Sequence, residues 1–302
     1  MLLEGIFNRY LPVSAEKDEK LVNLFGLIPA YDPFFRGDLE EIARLLTGLG
    51  LCVNTFFTPD QTFENIKSAP KAGLNIVFSH VYAGTFAQNF EERHGTPYWK
   101  TDIPVGAEAT DRFLTELGER LGIPKEQIEA LISKENQEYY GYFARCADIF
   151  CDGDFKYYAA SITNANYALP VASFLKKELG WIVLESFVTD QLNEDQQYAF
   201  RQTYEKATLA SELIFETDTS QIAKTITRKL PDSQGQRYFD SIDPLFIVGS
   251  SLDKPISLKR NAPLLSVSYP VYNRIILDRG YAGYRGGLHF FEDLVGVIVS
   301  PR

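Results

Sequence analysis

The sequence predicts two tandem α/β domains, each a parallel sheet between helical layers (three-layer αβα), joined by a long helix. Three observations carry this. At 302 residues and 45% hydrophobic, the chain is long enough for two domains with cores of their own. Short β-rich runs alternate with amphipathic helical patterns along almost its whole length, the rhythm of βαβ units. Helix also gives way to strand over very short glycine-punctuated steps, as crossover connections do.

In order, residues 1–19 read as an N-terminal helical segment and residues 20–123 as the first parallel domain. Leu21 to Ile28 is a strand, and after a Pro-rich loop Gly37 to Leu46 has apolar residues at helical spacing, with Leu39, Ile42, Leu46 and Leu49 on one stripe. Gly48 and Gly50 stop that helix, and Leu51 to Phe57 begins the next extended run. Leu74 to Phe78 is the third strand, leading to a helix that ends Glu91-Glu92-Arg93-His94-Gly95, and Thr110 to Leu121 is a further helix. Pro124 opens a helical stretch to about Cys151, so 124–152 is read as the connecting helix. The second domain, 153–285, has strands near Tyr157 to Ser161, Trp181 to Phe187, Leu213 to Phe215, Leu245 to Val248 and Leu264 to Val267, with helices such as Val171 to Leu179 and Ile222 to Leu230 between them. Residues 286–302 form a C-terminal helix. Sheets of this kind are Rossmann-like or flavodoxin-like, and their ligands lie at the carboxyl ends of the strands.

Composition narrows the function. Forty acidic against 30 basic residues give a net charge of −10, which repels phosphate backbones and anionic lipid, so neither nucleic acid nor membrane is an expected partner. Three cysteines, Cys52, Cys146 and Cys151, are an odd number and too few for a disulfide framework, which suits a reducing, cytoplasmic setting. The apolar run Leu294 to Val299 is far shorter than a membrane span, and Met1-Leu2-Leu3-Glu4 has no signal-peptide character.

The loops hold few standard signals. Gly26-Leu27-Ile28-Pro29-Ala30-Tyr31 cannot supply the G-x-G-x-x-G of dinucleotide sites, and no G-x-x-x-x-G-K-[ST] occurs, which disfavours an ordinary dehydrogenase or NTPase. Asp38, with Glu41 three residues on, reads as a capping box at a helix start. Arg36 sits where a cation is disfavoured by the helix dipole and so reads as facing a partner or ligand. Asp152-Gly153-Asp154 and Gly249-Ser250-Ser251 read as turns rather than as an acid pair or a nucleophile. Tyr281, Tyr284 and Arg285, in a glycine-punctuated stretch, read as an interface loop. His94 and His289 read as structural, and the cysteines as buried thiols; Cys146 and Cys151, five apart on a helix, point about 140° apart and do not suit a common metal.

Four blocks resemble one family. Asp32-Pro33-Phe34-Phe35-Arg36-Gly37-Asp38-Leu39-Glu40-Glu41 with its helix is similar to the opening of the second domain in nitrogenase component 1 subunits. Phe90-Glu91-Glu92-Arg93-His94-Gly95-Thr96-Pro97-Tyr98, then Ile103-Pro104-Val105-Gly106-Ala107-Glu108-Ala109-Thr110, and lastly Tyr269-Pro270-Val271-Tyr272-Asn273-Arg274 with Gly283-Tyr284-Arg285-Gly286-Gly287-Leu288, resemble later segments in the same order.

The resemblance implies paired homologous subunits of three α/β domains that take electrons from an ATP-dependent iron protein and reduce a substrate at a buried cluster. The blocks here match domains two and three, so the chain is expected to be the carboxy-terminal part of such a subunit and inactive alone. The expected partners are a homologous component 1 subunit, in a heterotetramer or homodimer, and the iron protein. The family's cluster cysteines have no counterpart here. Its cofactor-ligating Cys and His positions fall on Ser79 and Asn273, which favours a β-type subunit or a divergent paralogue. Arg36, Ser79, His80 and Asn273 are therefore pocket candidates only, with no catalytic or metal-ligating residue assigned; His80, at a strand end, reads first as a hydrogen-bonded loop histidine. No cofactor is expected on this chain alone, an iron–sulfur or molybdenum–iron cluster belonging to the complete complex. Within the superfamily the reactions are dinitrogen, tetrapyrrole or sulfur-compound reduction; a cofactor-assembly scaffold or binding module of the same fold is the alternative.

Overall fold

The computed structural model describes residues 5–13, 16–56, 58–59, 61–146, 155–231 and 244–300. Two wholly parallel sheets organise it. The first holds β1 (Asp18–Phe25), β2 (Cys52–Asn54), β3 (Ala72–Val77) and β4 (Tyr98–Lys100) in the order β2-β1-β3-β4. The second holds β5 (Tyr158–Thr163), β6 (Ile182–Val188), β7 (Glu212–Phe215), β8 (Leu245–Gly249) and β9 (Leu264–Ser266) in the order β7-β6-β5-β8-β9. In each sheet the chain steps outward on one side and then returns to the other. The point of reversal lies between β1 and β3 in the first sheet and between β5 and β8 in the second.

Around the first sheet lie α1 (Phe35–Gly48), α2 (Phe63–Ser68), α3 (Gly84–His94) and α4 (Ala107–Leu121). The connection is α5 (Lys125–Glu138) followed by a 3-10 turn, Tyr140–Cys146, rather than one continuous helix. The second sheet carries α6 (Ala165–Lys177), α7 (Glu194–Lys206), α8 (Thr219–Lys229) and α9 (Lys254–Arg260), and the chain closes with α10 (Gly283–Val299). The N-terminal segment is represented by a single helical turn, Ile6–Tyr10, whose Phe7 packs with Phe25, Phe56, Phe86 and Phe90 on one face of the first sheet.

Two helices extend beyond their sequence patterns. Helix α6 begins at Ala165, because Asn164 accepts the Tyr167 N–H at 3.1 Å as N-cap and the chain absorbs Pro170 inside the helix. Every residue from Ala165 to Leu175 is buried, so packing outweighs the hydrogen bond that Pro170 cannot donate. Helix α10 likewise starts before the glycine pair, at Gly283.

Although α10 is last in the chain, it packs against α1 and α4 of the first domain as well as against β9. Backbone contact makes this possible: a Cβ on Gly287 would lie 2.6 Å from the Cα of Gly106, and one on Gly37 would lie 2.3 Å from the Gly280 nitrogen. The Gly283 N–H donates to the Pro104 carbonyl at 2.6 Å, and Val105 and Gly283 form a parallel bridge. One buried cluster therefore runs from Val22, Leu24 and Leu46 of the first domain through α6 and α10 to Phe246, Val248 and Leu265 of the second.

Candidate functional site

The carboxyl ends of the two sheets meet. From β1 the chain turns at Gly26 and reaches Asp32; from β3 it reaches Ser79 to Tyr82; from β5 it enters α6 at Asn164; and from β6 it reaches Asp190. Asp32, 1% exposed, accepts the Ile28 N–H at 2.6 Å within its own loop and the Asn164 side-chain amide at 3.2 Å from the other domain. The Asn166 amide donates to the Gly26 carbonyl at 3.0 Å. Asp190 accepts the Ala165 N–H at 2.5 Å and the Tyr82 hydroxyl.

Carboxylate–tyrosine pairs join the two halves of the chain at four places. Besides Asp190 with Tyr82, Tyr167 donates to Asp38 at 2.7 Å, Tyr140 to Glu178 at 2.5 Å, and Tyr284 to Asp111. Burial sets the protonation of Asp32 and of the paired acids Asp38, Asp190 and Asp111. It pushes the Asp32 carboxyl up to about 7, against the lowering by its bonds from Ile28 and Asn164, and with Asp38 and Asp190 adding like charge nearby. Burial also pushes Asp38 up to about 6 although Tyr167, Ala282 and Tyr281 all donate to it. Asp190 and Asp111 are raised for the same reason, and so is the Tyr167 hydroxyl.

Beside this junction lies a cleft of about 290 Å³ whose walls come from both domains, with His80, Lys100, Asp102 and Arg112 on one side and Leu169, Ser173 and Lys206 on the other. The His80 Nε2 is 3.2 Å from Asp102 Oδ1, so this loop histidine is held by a carboxylate.

The residues singled out from sequence are dispersed. Arg36 lies in the first turn of α1 in an exposed pair with Glu40 at 2.9 Å. Ser79 is buried with its hydroxyl accepting the N–H groups of Val81 and Tyr82, at 3.1 and 2.8 Å, which shapes the turn after β3. Asn273 is exposed beside Ser251, 3.4 Å away, on the second domain. His80 alone lines the interdomain cleft. Ser250 caps a 3-10 turn in a reciprocal pair with Asp253, so the Gly249-Ser250-Ser251 stretch is a turn. His94 bonds the Phe7 carbonyl at 2.7 Å and His289 the Gly280 carbonyl at 3.2 Å, both structural contacts.

Three expectations are corrected. Asp38 is not a cap: it is the fourth residue of α1, fully buried, and accepts the N–H groups of Tyr281 and Ala282 at 2.6 and 2.8 Å, while Glu41 pairs with Arg44. Tyr281 and Tyr284 are not an exposed interface loop. They are buried at the start of α10, and Arg285 donates to Tyr139 within the chain. Nor are the described thiols buried, since Cys52 is exposed at the start of edge strand β2 and Cys146 is half-buried. Cys151 and Asp152-Gly153-Asp154 lie outside the described residues.

The donors at the junction do not fit an iron–sulfur or molybdenum–iron cluster. The Ser79 hydroxyl is committed to backbone, Asn273 and the two described thiols lie elsewhere, and side chains of Asp32, Tyr82, Asn164 and Asp190 bond directly across the space between the strand ends. Among the described residues no three His, Cys, Asp or Glu side chains are grouped to hold a metal.

The family that shares this architecture decides the assignment: the description "nitrogenase component 1 type oxidoreductase" matches residues 1–299. The chain belongs to that family. This component 1-type chain is 25% identical over 298 residues to a light-independent protochlorophyllide reductase subunit of Adiantum capillus-veneris, covering 94% of the chain and 52% of the relative. It is 23% identical over 309 residues to the nitrogenase molybdenum-iron protein alpha chain of Clostridium pasteurianum, covering 88% and 54% respectively. Among solved structures, "Nitrogenase Cp1 at pH 6.5" superposes with a TM-score of 0.72 over 99% of the chain and 63% of the other, at 19% identity, which shows the fold. The chain thus spans about half the length of the curated relatives it matches. No helix among the described residues is long and apolar enough to cross a membrane.

The sequence reading missed the junction acids Asp32 and Asp190, their side-chain partners Asn164 and Tyr82, and Asn166, which bonds the Gly26 carbonyl. A signal existed for Asp32 alone, an acid between aromatics in a stiff Pro-rich loop after the first strand.

Proposed function

We propose that this component 1-type chain acts as a two-domain wall of a reductase subunit, in the cytoplasm, with a homologous subunit and an ATP-dependent iron protein as its partners and the electron-carrying metal groups held outside it. The observation that supports the reading is the meeting of both sheets' carboxyl ends at one junction, the place where parallel α/β sheets take their ligands. The part of these residues is to position and to exclude water. The four carboxylate–tyrosine pairs fix the angle between the domains, and buried Asp32 retains its proton up to about pH 7.

The test is anaerobic purification of the chain alone and together with a co-encoded component 1 homologue and iron protein. Alone it is expected to be colourless and to show no ATP binding by calorimetry; with both partners it is expected to enter a stable complex that carries out ATP-dependent reduction. Stoichiometric iron and sulfide on the isolated chain, or tight ATP binding to it, would overturn the reading. The poor fit of the junction to a cluster favours one second reading, a non-catalytic scaffold or binding module. A complex that forms but never turns over would select it.

A further inference from the structure

Away from the junction, one face of the second domain carries an inference that goes beyond the reductase reading and does not rest on it. Helices α8 and α9 cover one side of the second sheet, where Ile222, Ile226 and Ile256 join a buried cluster with its strands. Together they carry six basic residues, Lys224, Arg228 and Lys229 on α8 and Lys254, Lys259 and Arg260 on α9, and no acidic one, in a chain of net charge −10. Lys229 is paired with Glu212 at 2.6 Å, and Arg260 is buried against the Leu230 carbonyl. Lys224, Arg228 and Lys259 are exposed and line a single groove of about 350 Å³ between the two helices, and no carboxylate lines it with them. None of the three has an ion pair among the described residues. The Lys259 ammonium reaches over to the Thr227 hydroxyl at 3.4 Å, which sets it beside Arg228. Lys224 and Arg228 stand at i,i+4 on α8, a spacing at which like charges repel and oppose the helix. The helix dipole accounts for a cation in a last turn, as at Arg228 and Lys259, but not for Lys224 in the middle of α8. Asp218, at the head of α8, senses Lys224 but is taken up as the N-cap, accepting the Ser220 N–H at 2.8 Å.

Three cations without a counter-ion, gathered around one groove against their mutual repulsion, are complementary to an anionic partner. The groove between them is apolar, formed by Ala223, Pro255 and Ile256, so a bare anion would leave it uncovered, and its cations are exposed rather than buried around a small ion. The net negative charge of the whole chain repels a nucleic-acid backbone or an anionic bilayer, and no aromatic side chain lines the groove for a base to stack on. A protein segment meets neither objection, because it can present a few carboxylates around an apolar side chain. We propose that the α8–α9 groove docks an acidic segment of a partner protein, its carboxylates taken by Lys224, Arg228 and Lys259 and an apolar side chain lying on Ala223, Pro255 and Ile256.

The experiment is fluorescence anisotropy of the labelled peptide Glu-Glu-Leu-Glu-Glu-Leu-Leu-Glu-Glu titrated with the full 302-residue chain, beside the same peptide with Gln for every Glu. The acidic peptide is expected to saturate at one per chain and to weaken as salt is raised, and the Gln peptide to bind at least about tenfold less tightly. Lys224→Glu and Arg228→Glu are each expected to weaken the acidic peptide about tenfold, the loss of one charge-assisted hydrogen bond, whereas Lys254→Glu, on the other flank of α9, changes nothing. Lys224→Glu also separates docking from folding. With Arg228 it makes a favourable acid-to-base pair at i,i+4, so its unfolding midpoint should rise while the peptide is lost, a combination that damage to the fold does not produce. Arg228→Gln, at an exposed position, carries the test should a reversed charge fold poorly. The proposal is overturned by no saturable binding of the acidic peptide, by groove variants that bind as the parent does, by a Gln peptide that binds as tightly, or by phosphatidylserine vesicles or duplex DNA binding more tightly than the peptide. Self-association in sedimentation that Arg228→Glu abolishes would likewise overturn it and give the groove to a second copy of the chain.

Discussion

At the scale of single residues, the junction acids set a pH dependence whose sign follows from burial. Asp32 holds its proton up to about 7 in the folded chain, against an ordinary value near ~4 when unfolded. The folded state therefore binds that proton more tightly, and stability must fall as pH rises between the two values. The contribution is complete below about pH 4, is lost progressively as pH climbs through about 7, and is flat above that; Asp38, raised to about 6, acts with the same sign. Asp32→Asn removes the titration. It also places an amide where two donors meet, so it lowers stability at low pH, and the informative quantity is the slope. Urea midpoints compared at about pH 5 and about pH 8 should differ less in the variant than in the parent, by the equivalent of about 2–4 kcal/mol. An unchanged slope would mean that Asp32 does not carry it. None of this was legible from sequence. Asp38 in particular has the spacing of a capping box, and only the approach of Tyr281, 243 positions away, turns it into a buried acceptor. A local pattern reports local chemistry, and the partner that decides the role of Asp38 is not local.

At the scale of elements, the sequence was far more informative, because a parallel strand is buried on both faces and reads as a continuous apolar run. Eight of the nine strands of the two sheets fall within a few residues of their expected places, and the short edge strand β4 was not anticipated. The helices were less legible where a residue locally disfavoured in a helix is tolerated for packing, as Pro170 is in α6. Helix α10 shows the same conflict and permits an internal test. Three of its four glycines have different surroundings: a Cβ on Gly286 would meet the Tyr281 carbonyl carbon at 2.1 Å, one on Gly287 would meet Gly106 at 2.6 Å, and one on Gly296 would meet nothing within 4 Å. Gly287→Ala is expected to destabilise by about 2–4 kcal/mol, because backbone rather than a mobile side chain must give way. Gly296→Ala, in the same helix and exposed, is expected to stabilise by up to about 1 kcal/mol through helix propensity alone. Thermal unfolding of the two variants measures both; equal effects would show that the Gly106 contact does not limit how closely α10 approaches.

At the scale of the whole molecule, three of the four segments that resemble the family contribute to the joint between domains. The Asp32 to Asp38 block, the Ile103 to Gly106 block and the Tyr281 to Gly287 stretch meet through the bonds of Asp38 to Tyr281 and Ala282, of Gly283 to Pro104, and of Tyr284 to Asp111. The consequence is cooperative unfolding. Chains of this length ordinarily unfold domain by domain, since each domain has its own core. Here one buried cluster spans both sheets, α10 leaves the second domain to pack on the first, and four carboxylate–tyrosine pairs link the halves. The two tryptophans allow each sheet to be followed separately, since Trp99 lies on β4 and Trp181 immediately precedes β6, both buried. Trp99→Phe leaves a probe of the second sheet and Trp181→Phe a probe of the first. Equilibrium urea unfolding followed by fluorescence should give coincident midpoints for the two probes once each is referred to its own variant's circular dichroism transition. Tyr167→Phe, which deprives buried Asp38 of its side-chain donor, should lower both midpoints together by the equivalent of about 1–3 kcal/mol. Separate transitions in the parent chain, or a Tyr167→Phe effect confined to one probe, would show that the halves are two folding units in contact, and the joint would then have to be assigned to ligand binding instead of stability.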